Sequence, residues 1–199
     1  MRERTGNVKK IIALALGFCL IFSLSSCGIL AVFQGQVQPG SADALRKDME
    51  KYEFLGVTFY LPREYTQSNI FADADTGRIS YTDPQGITFI INVSETSFVS
   101  QYYKTDILSA RDYSQAYIDY YQADASREGI TVTPLSDRHG IPCLRQAGNM
   151  DATTQYGVVG FYCSGSYCAT ITIYTDNQAL FDQQEEDLAN LATIATFSR

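Results

Sequence analysis

The sequence predicts an α+β fold in which an antiparallel β-sheet of about six strands is packed by two main helices. Two pairs of segments rich in β-branched and aromatic residues, each pair separated by a short turn sequence, predict the sheet. Two segments with apolar residues at helical spacing, each behind a capping residue, predict the helices. We expect this domain to occupy residues 52–199, after a signal segment (1–26) and a flexible tether (27–51).

The N-terminal segment is typical of a secretion signal. Four basic residues stand among the first ten positions, and an uncharged apolar run extends from Ile11 to Leu24. Such a run is short for a membrane-spanning helix and suits the core of a signal peptide. Small residues Ser25 and Ser26 then precede Cys27, as a signal peptidase requires. We therefore expect cleavage between Ser26 and Cys27.

Leu24-Ser25-Ser26-Cys27 resembles the bacterial lipobox. The resemblance implies that the thiol of Cys27 carries a diacylglyceryl group and that the domain is lipid-anchored on the extracytoplasmic face of the cell membrane. An uncleaved membrane helix from Ile11 to Phe33 is the alternative, since no charge interrupts this stretch. Both interpretations place the rest of the chain outside the cytoplasm.

The charge of the mature chain limits its partners. The full sequence has 15 basic and 22 acidic residues, and removing residues 1–26 leaves 11 and 21, a net charge of −10. This charge disfavours nucleic acid and anionic lipid headgroups as partners. The lipid is then the expected means of membrane attachment, and an envelope protein is a possible partner.

The first strands follow from alternation and turn chemistry. Val57, Phe59 and Leu61 alternate with polar or amphipathic residues, as in a half-buried strand. The segments 78–82 and 87–93 flank Asp83-Pro84-Gln85-Gly86, whose residue types suit a type I turn. We therefore predict a β-hairpin here.

The strongest helix pattern begins at the capping residue Ser109 and is expected to end at Gly129. Tyr113, Tyr117 and Tyr120 recur on its apolar stripe and are expected to pack on the sheet. Three tyrosines fall off that stripe and are candidates for an exposed partner surface: Tyr102, Tyr103 and Tyr121.

The second clear hairpin joins residues 157–163 to residues 168–174. If Gly165-Ser166 is a two-residue loop, Cys163 and Cys168 form the neighbouring non-hydrogen-bonded pair, whose side chains lie closest. We predict a Cys163–Cys168 disulfide that leaves Cys143 free. A bond between Cys143 and Cys163 is the alternative.

The last helix is expected to begin at Asp176 or Asn177, with Glu185, Glu186 and Asp187 near its positive end. Acidic side chains near the positive end of a helix stabilise it, which is sufficient to explain this cluster, so we assign it no metal. A single His and three scattered cysteines without a CxxC pair also make a poor metal site. We expect no cofactor.

Segments between Phe54 and Phe197 resemble the PsbP/DcrB-like superfamily of sandwich domains. The resemblance rests on residues 56–62, the long helix 113–129, Gly140-Ile-Pro-Cys-Leu-Arg145, the hairpin 158–175 and the closing segment 189–197. It implies an α/β/α sandwich without shared catalytic residues, and a binding, assembly or accessory role.

We therefore expect a non-enzymatic binding or accessory module of the cell envelope, with no catalytic residues. One alternative is an envelope hydrolase that uses His139, the only histidine, with a nearby serine. Another is a solute-binding lipoprotein of a transporter, which a single small domain without an interdomain cleft disfavours.

Overall fold

The computed structural model describes residues 41–73, 77–123, 129–150 and 153–198. The signal segment, the lipobox and Cys27 lie outside the described residues, so lipidation stays a prediction. Within the described ranges, no helix is long and apolar enough to cross a bilayer.

The helices and strands of the described residues have the following bounds. The helices are α1 (Ala42–Arg46), α2 (Thr96–Tyr103), α3 (Ala110–Gln122) and α4 (Gln178–Thr193). The strands are β1 (Glu50–Phe54), β2 (Val57–Leu61), β3 (Thr66–Asp73), β4 (Arg78–Thr82), β5 (Thr88–Glu95), β6 (Thr131–Pro134), β7 (Cys143–Met150), β8 (Thr153–Ser164), β9 (Tyr167–Thr175) and β10 (Thr196–Phe197).

The described strands form two antiparallel sheets rather than one sheet of about six strands. The larger has seven strands in the order β3-β4-β5-β9-β8-β7-β6, and the smaller has the order β1-β2-β10. The smaller sheet arises because Leu55 and Gly56 both adopt positive φ (46° and 86°) and turn the chain between β1 and β2. A leucine rarely adopts this conformation, so the residue types gave no turn signal.

Both predicted hairpins are confirmed. Between β4 and β5, the amide of Gly86 donates to the carbonyl oxygen of Asp83 at 3.2 Å. The carboxylate of Asp83 also accepts from the amides of Gln85 and Ile87, at 2.9 and 2.7 Å. The second hairpin pairs Ser164 with Tyr167 across the two-residue turn.

Each face of the larger sheet has its own hydrophobic cluster. On one face, α4 and the smaller sheet cover a cluster that includes Phe59, Phe89 and Phe181. On the other face, α2 and α3 cover a cluster centred on Phe161. The predicted layering of helices on both faces of a sheet is therefore confirmed, with the smaller sheet added to one layer.

The ends of two segments differ from expectation. Helix α3 begins after Ser109, whose hydroxyl oxygen accepts from the amide of Asp112, but it ends at Gln122 and not at Gly129. Gly129 instead lies just before β6 with φ +96°. The folded unit also begins before residue 52, because α1 and β1 occupy part of the expected tether.

The acidic residues of α4 lie in the middle of the helix and not in its first turn. Glu185 pairs with Arg145 at 2.9 Å, and Glu186 forms a two-pronged ion pair with Arg138. Arg145 also lies 5.1 Å over the ring of Phe181. Glu185 and Glu186 thus attach α4 to β7 and to the segment that precedes it.

Candidate binding surface and cysteine pair

Helices α2 and α3 bring six tyrosines together on one side of the sheet. Neighbouring rings in this tyrosine cluster have centroids between 4.8 and 6.4 Å apart. The cluster consists of Tyr102, Tyr103, Tyr113, Tyr117, Tyr120 and Tyr121.

The inner part of the tyrosine cluster is structural. The rings of Tyr113 and Tyr117 lie 5.2 and 5.3 Å from Phe161 on β8, as the helical stripe predicts. The hydroxyl of Tyr117 donates to Oε1 of the buried Gln146 at 2.5 Å. Burial raises the pKa of Tyr103, Tyr113 and Tyr117, so these rings remain neutral in the folded domain.

The outer part of the tyrosine cluster is open to solvent. Tyr102 is 51% exposed, and Phe98, one helical turn earlier, is 61% exposed. Residues four apart on a helix share a face, so Phe98 and Tyr102 lie on the same side of α2. The hydroxyl of Tyr102 lies 2.6 Å from that of Tyr120. We call the exposed Phe98 and Tyr102, together with the half-buried Tyr120, the aromatic surface.

The three tyrosines predicted as a partner surface have different environments. Tyr102 belongs to the aromatic surface, whereas Tyr103 and Tyr121 are half-buried and pack against other tyrosines. The sequence pattern did not indicate Phe98, and it placed Tyr120 on the apolar stripe of the helix. The spacing of Phe98 and Tyr102 could have revealed the surface, once helix α2 was recognised.

The structure places Cys163 and Cys168 directly opposite each other on β8 and β9. Both are free thiols in the structure, so the disulfide is not formed there and stays a prediction. Cys143 lies on the other face of the sheet, packed in the cluster beneath α4. This placement contradicts the alternative bond between Cys143 and Cys163.

The cysteine pair borders a cavity of about 520 Å³ between the β8–β9 turn and the segment around α2. Cys163, half-buried, lines this cavity together with Glu95, Thr96 and Leu108. Cys168 is 1% exposed and lies behind it. Leu108 is 88% exposed and stands at the edge of the cavity.

The pKa values of the two thiols are linked through a hydrogen bond between them. The thiol of Cys163 donates to the sulfur of Cys168, which lowers the pKa of Cys168 to about 7. The hydroxyl of Thr96, 3.5 Å from the same sulfur, acts in the same direction. The pKa of Cys163 is raised by its hydrogen bond to Cys168. Ionisation of the pair is therefore favoured at Cys168 over Cys163.

The alternative functions find no matching site in the described part of the chain. His139 is exposed at a turn with φ +53°, and no hydrogen bond or ion pair among the described residues joins it to a serine or a carboxylate. Within the same ranges, no group of three or more His, Cys, Asp or Glu side chains could hold a metal ion. The described residues also belong to one compact unit, which offers no cleft between two domains.

Comparison with known proteins identifies the fold. No protein-family profile matches the sequence, and no curated protein is significantly similar to it. The solution structure of cyanobacterial PsbP from Synechocystis sp. PCC 6803 superposes with a TM-score of 0.51 at 13% identity, over 83% of this chain and 98% of that one. The chain has a PsbP-like fold. The predicted PsbP-like domain is thus confirmed as a fold.

Two further solved structures are more distant. The Ran-binding protein Mog1p of Saccharomyces cerevisiae has 9% identity and a TM-score of 0.47, over 73% of this chain and 88% of that one. A Pseudomonas aeruginosa protein of unknown function has 11% identity and a TM-score of 0.43, over 70% and 90%. Neither likeness carries a functional argument, and the PsbP likeness is one of fold alone.

Proposed function

We propose that this protein is an extracytoplasmic lipoprotein, anchored through Cys27, whose PsbP-like domain binds an envelope protein as a non-enzymatic accessory module. The exposed pair Phe98 and Tyr102 carries the binding part of this proposal. The signal core and the lipobox support the anchor, and the net charge of −10 leaves the lipid as the means of attachment.

The aromatic surface has the composition of a protein-binding site. Aromatic residues are enriched at protein–protein interfaces because a ring buries a large area at a small cost in conformational entropy. Tyr102 and Tyr120 are braced by their hydroxyl contact and by rings 5.2 Å apart, so little further ordering is needed on binding. The polar hydroxyls keep this surface compatible with water in the unbound protein.

The anchor is tested on the protein purified from its own membrane with detergent. We expect the N-terminal peptide to begin at Cys27 and to carry the mass of a diacylglyceryl group. Cys27→Ser should abolish this modification and leave the signal segment uncleaved. A native protein that begins at an unmodified Met1 would contradict the lipoprotein proposal.

The binding surface is tested by site-specific photo-crosslinking of the full chain in intact cells. A benzophenone amino acid at position 98 should give one discrete adduct with an envelope protein, and Tyr102→Ser should reduce its yield. The matched control carries the same probe at the exposed Gln183 on α4, across the sheet. Equal adducts from both positions, or none from position 98, would contradict the proposed surface.

A further inference from the structure

We propose that Cys163 and Cys168 form a thiol–disulfide exchange site for low-molecular-weight disulfides that enter the adjoining cavity. This chemistry goes beyond the proposed docking role and does not depend on it. The site combines two thiols in bonding register, a cavity beside one of them and a hydroxyl beside the other.

The register places the two cysteines directly opposite each other on neighbouring strands. Cys163 and Cys168 are direct partners in the β8–β9 ladder, one position inside the Ser164–Tyr167 pair that closes the turn. Antiparallel pairs alternate between hydrogen-bonded and non-hydrogen-bonded types, and side chains of the second type lie closer. Because Ser164 and Tyr167 close a two-residue turn, the cysteines belong to the closer type.

The loop enclosed by the cysteine pair is very short. A bond that closes so short a loop removes little entropy from the unfolded chain, so the disulfide contributes little to folding stability. A pair that is not needed for folding can open and close without loss of the domain. This separates the pair from a purely structural bridge.

The cavity gives the two cysteines different roles. Cys163 lines the cavity and is half-buried, whereas Cys168 is 1% exposed and lies behind it. An entering disulfide therefore meets Cys163 first. The cavity volume of about 520 Å³ is in the range that accommodates small organic molecules.

The exchange proceeds in two steps. The sulfur of Cys163 attacks one sulfur of the small disulfide RSSR as the Cys168 thiolate takes its proton, and RS⁻ leaves. The released RS⁻ then takes this proton from Cys168 and leaves as RSH. The regenerated Cys168 thiolate attacks the Cys163 sulfur of the mixed disulfide and expels the second RS⁻. Water protonates this second RS⁻. In total the two protein thiols lose two electrons, and RSSR is reduced to two RSH.

Thr96 is a positioning residue for the second step. Its hydroxyl lies 3.5 Å from the sulfur of Cys168 and stabilises the thiolate there. A hydrogen bond to the charged form favours that form, so the Thr96 hydroxyl helps to lower the pKa of Cys168. At Cys143 the effect of burial exceeds that of the nearby Arg138 charge and raises the pKa to about 12.

The test uses the protein purified from its own membrane in detergent, reduced, freed of reductant and mixed with cystamine at pH 7. We expect the wild type to lose two hydrogens by intact mass, with the bond mapped to Cys163 and Cys168. Cys168→Ser should form a cysteamine adduct on Cys163 more slowly than the wild type reacts, because it lacks the base of the first step, and this adduct should accumulate, because the second step is removed. Cys143→Ser is the matched control and should react as the wild type does.

Two further measurements keep the outcome decisive if Cys168→Ser does not fold. Thr96→Val should slow closure of the protein disulfide severalfold at pH 7. The effect should be smaller at pH 9, where the Cys168 thiolate forms without help from the Thr96 hydroxyl. Cysteamine should reopen the wild-type disulfide under native conditions. Failure of the wild type to oxidise, modification at Cys143 instead, or a disulfide that cysteamine opens only in denaturant would each overturn the proposal.

Discussion

The hydroxyl of Tyr162 on β8 donates to the backbone carbonyl oxygen of Ala192 on α4 at 2.7 Å. The last carbonyls of a helix have no partner within it, so this bond satisfies one of them. Gly160, on the same face of β8, allows the close approach, because a Cβ there would lie 2.3 Å from the same oxygen. At the C-cap of the same helix, Nε of Arg46 on α1 donates to the carbonyl oxygen of Ile194 at 3.1 Å.

Tyr162→Phe should lower the free energy of unfolding by about 1–2 kcal/mol, because it leaves a buried carbonyl without its donor. Urea unfolding followed by circular dichroism measures this change. Tyr156→Phe is the control: Tyr156 packs against the same hydrophobic cluster, and no hydrogen bond of its hydroxyl is found among the described residues. Equal stabilities of the two variants would mean that the Tyr162 bond does not contribute.

Ser109→Ala should lower the free energy of unfolding by about 1 kcal/mol, because the N-cap of α3 loses its side-chain acceptor. The hydroxyl oxygen of Ser109 accepts from the Asp112 amide at 3.2 Å, and the Asp112 carboxylate accepts from the Leu108 amide at 3.1 Å. Thermal or urea unfolding measures the change. Ser114→Ala, inside the same helix, should have a much smaller effect, and a reversed order would contradict the cap.

Stability should fall as the pH rises above about 9. Burial raises the pKa of Cys143 from its ordinary value of 9.0 to about 12 and also raises the pKa of Tyr103 and Tyr117. Above pH 9 the unfolded chain releases protons that the folded chain retains, so unfolding becomes more favourable with each further pH unit. The contribution of these groups to the free energy of unfolding is complete below pH 9. It is lost as the pH rises toward their raised pKa values in the folded state.

Urea unfolding at pH 8, 9, 10 and 11 measures this dependence. Cys143→Ala should flatten the slope between pH 9 and 10, where the tyrosines of the unfolded chain are still mostly protonated. Only the slopes are compared, because this substitution also removes buried volume. An unchanged slope in Cys143→Ala would show that Cys143 does not retain its proton in the folded state.

Glu95→Gln should alter which small disulfides react with Cys163. The carboxylate of Glu95 lines the same cavity and accepts from the Ser97 hydroxyl at 3.3 Å. A negative charge there favours a cationic disulfide over an anionic one. Cystamine should therefore react faster than dithiodipropionate, and Glu95→Gln should narrow the ratio of their rate constants.

Asp187→Gln, an equal change of charge on the distant helix α4, is the control and should leave that ratio nearly unchanged. If both variants narrowed the ratio of the two rate constants equally, the preference for cystamine would arise from the net charge of the protein and not from Glu95. The rate constants are measured by quenching the reaction with acid and recording intact masses.

Local chemistry made several elements predictable. The turn Asp83–Gly86 and the cap Ser109 depend on side chains that bond to neighbouring backbone groups, so a few consecutive residues suffice to identify them. The register of Cys163 with Cys168 followed from the length of one turn. The β1–β2 turn at Leu55 escaped prediction, because its positive φ is disfavoured for that residue.

The sequence by itself determined the hairpins, the capped helices and the acidic charge, and it predicts an N-terminal signal with a lipobox that ends at Cys27. Only the tertiary structure decided that the strands form two sheets and that Phe98 joins Tyr102 and Tyr120 at one surface. It also placed Cys143 and Cys163 on opposite faces of the sheet. The physical reason is that turns and caps are satisfied by neighbours in sequence, whereas a surface or a cavity is formed by segments that only packing brings together.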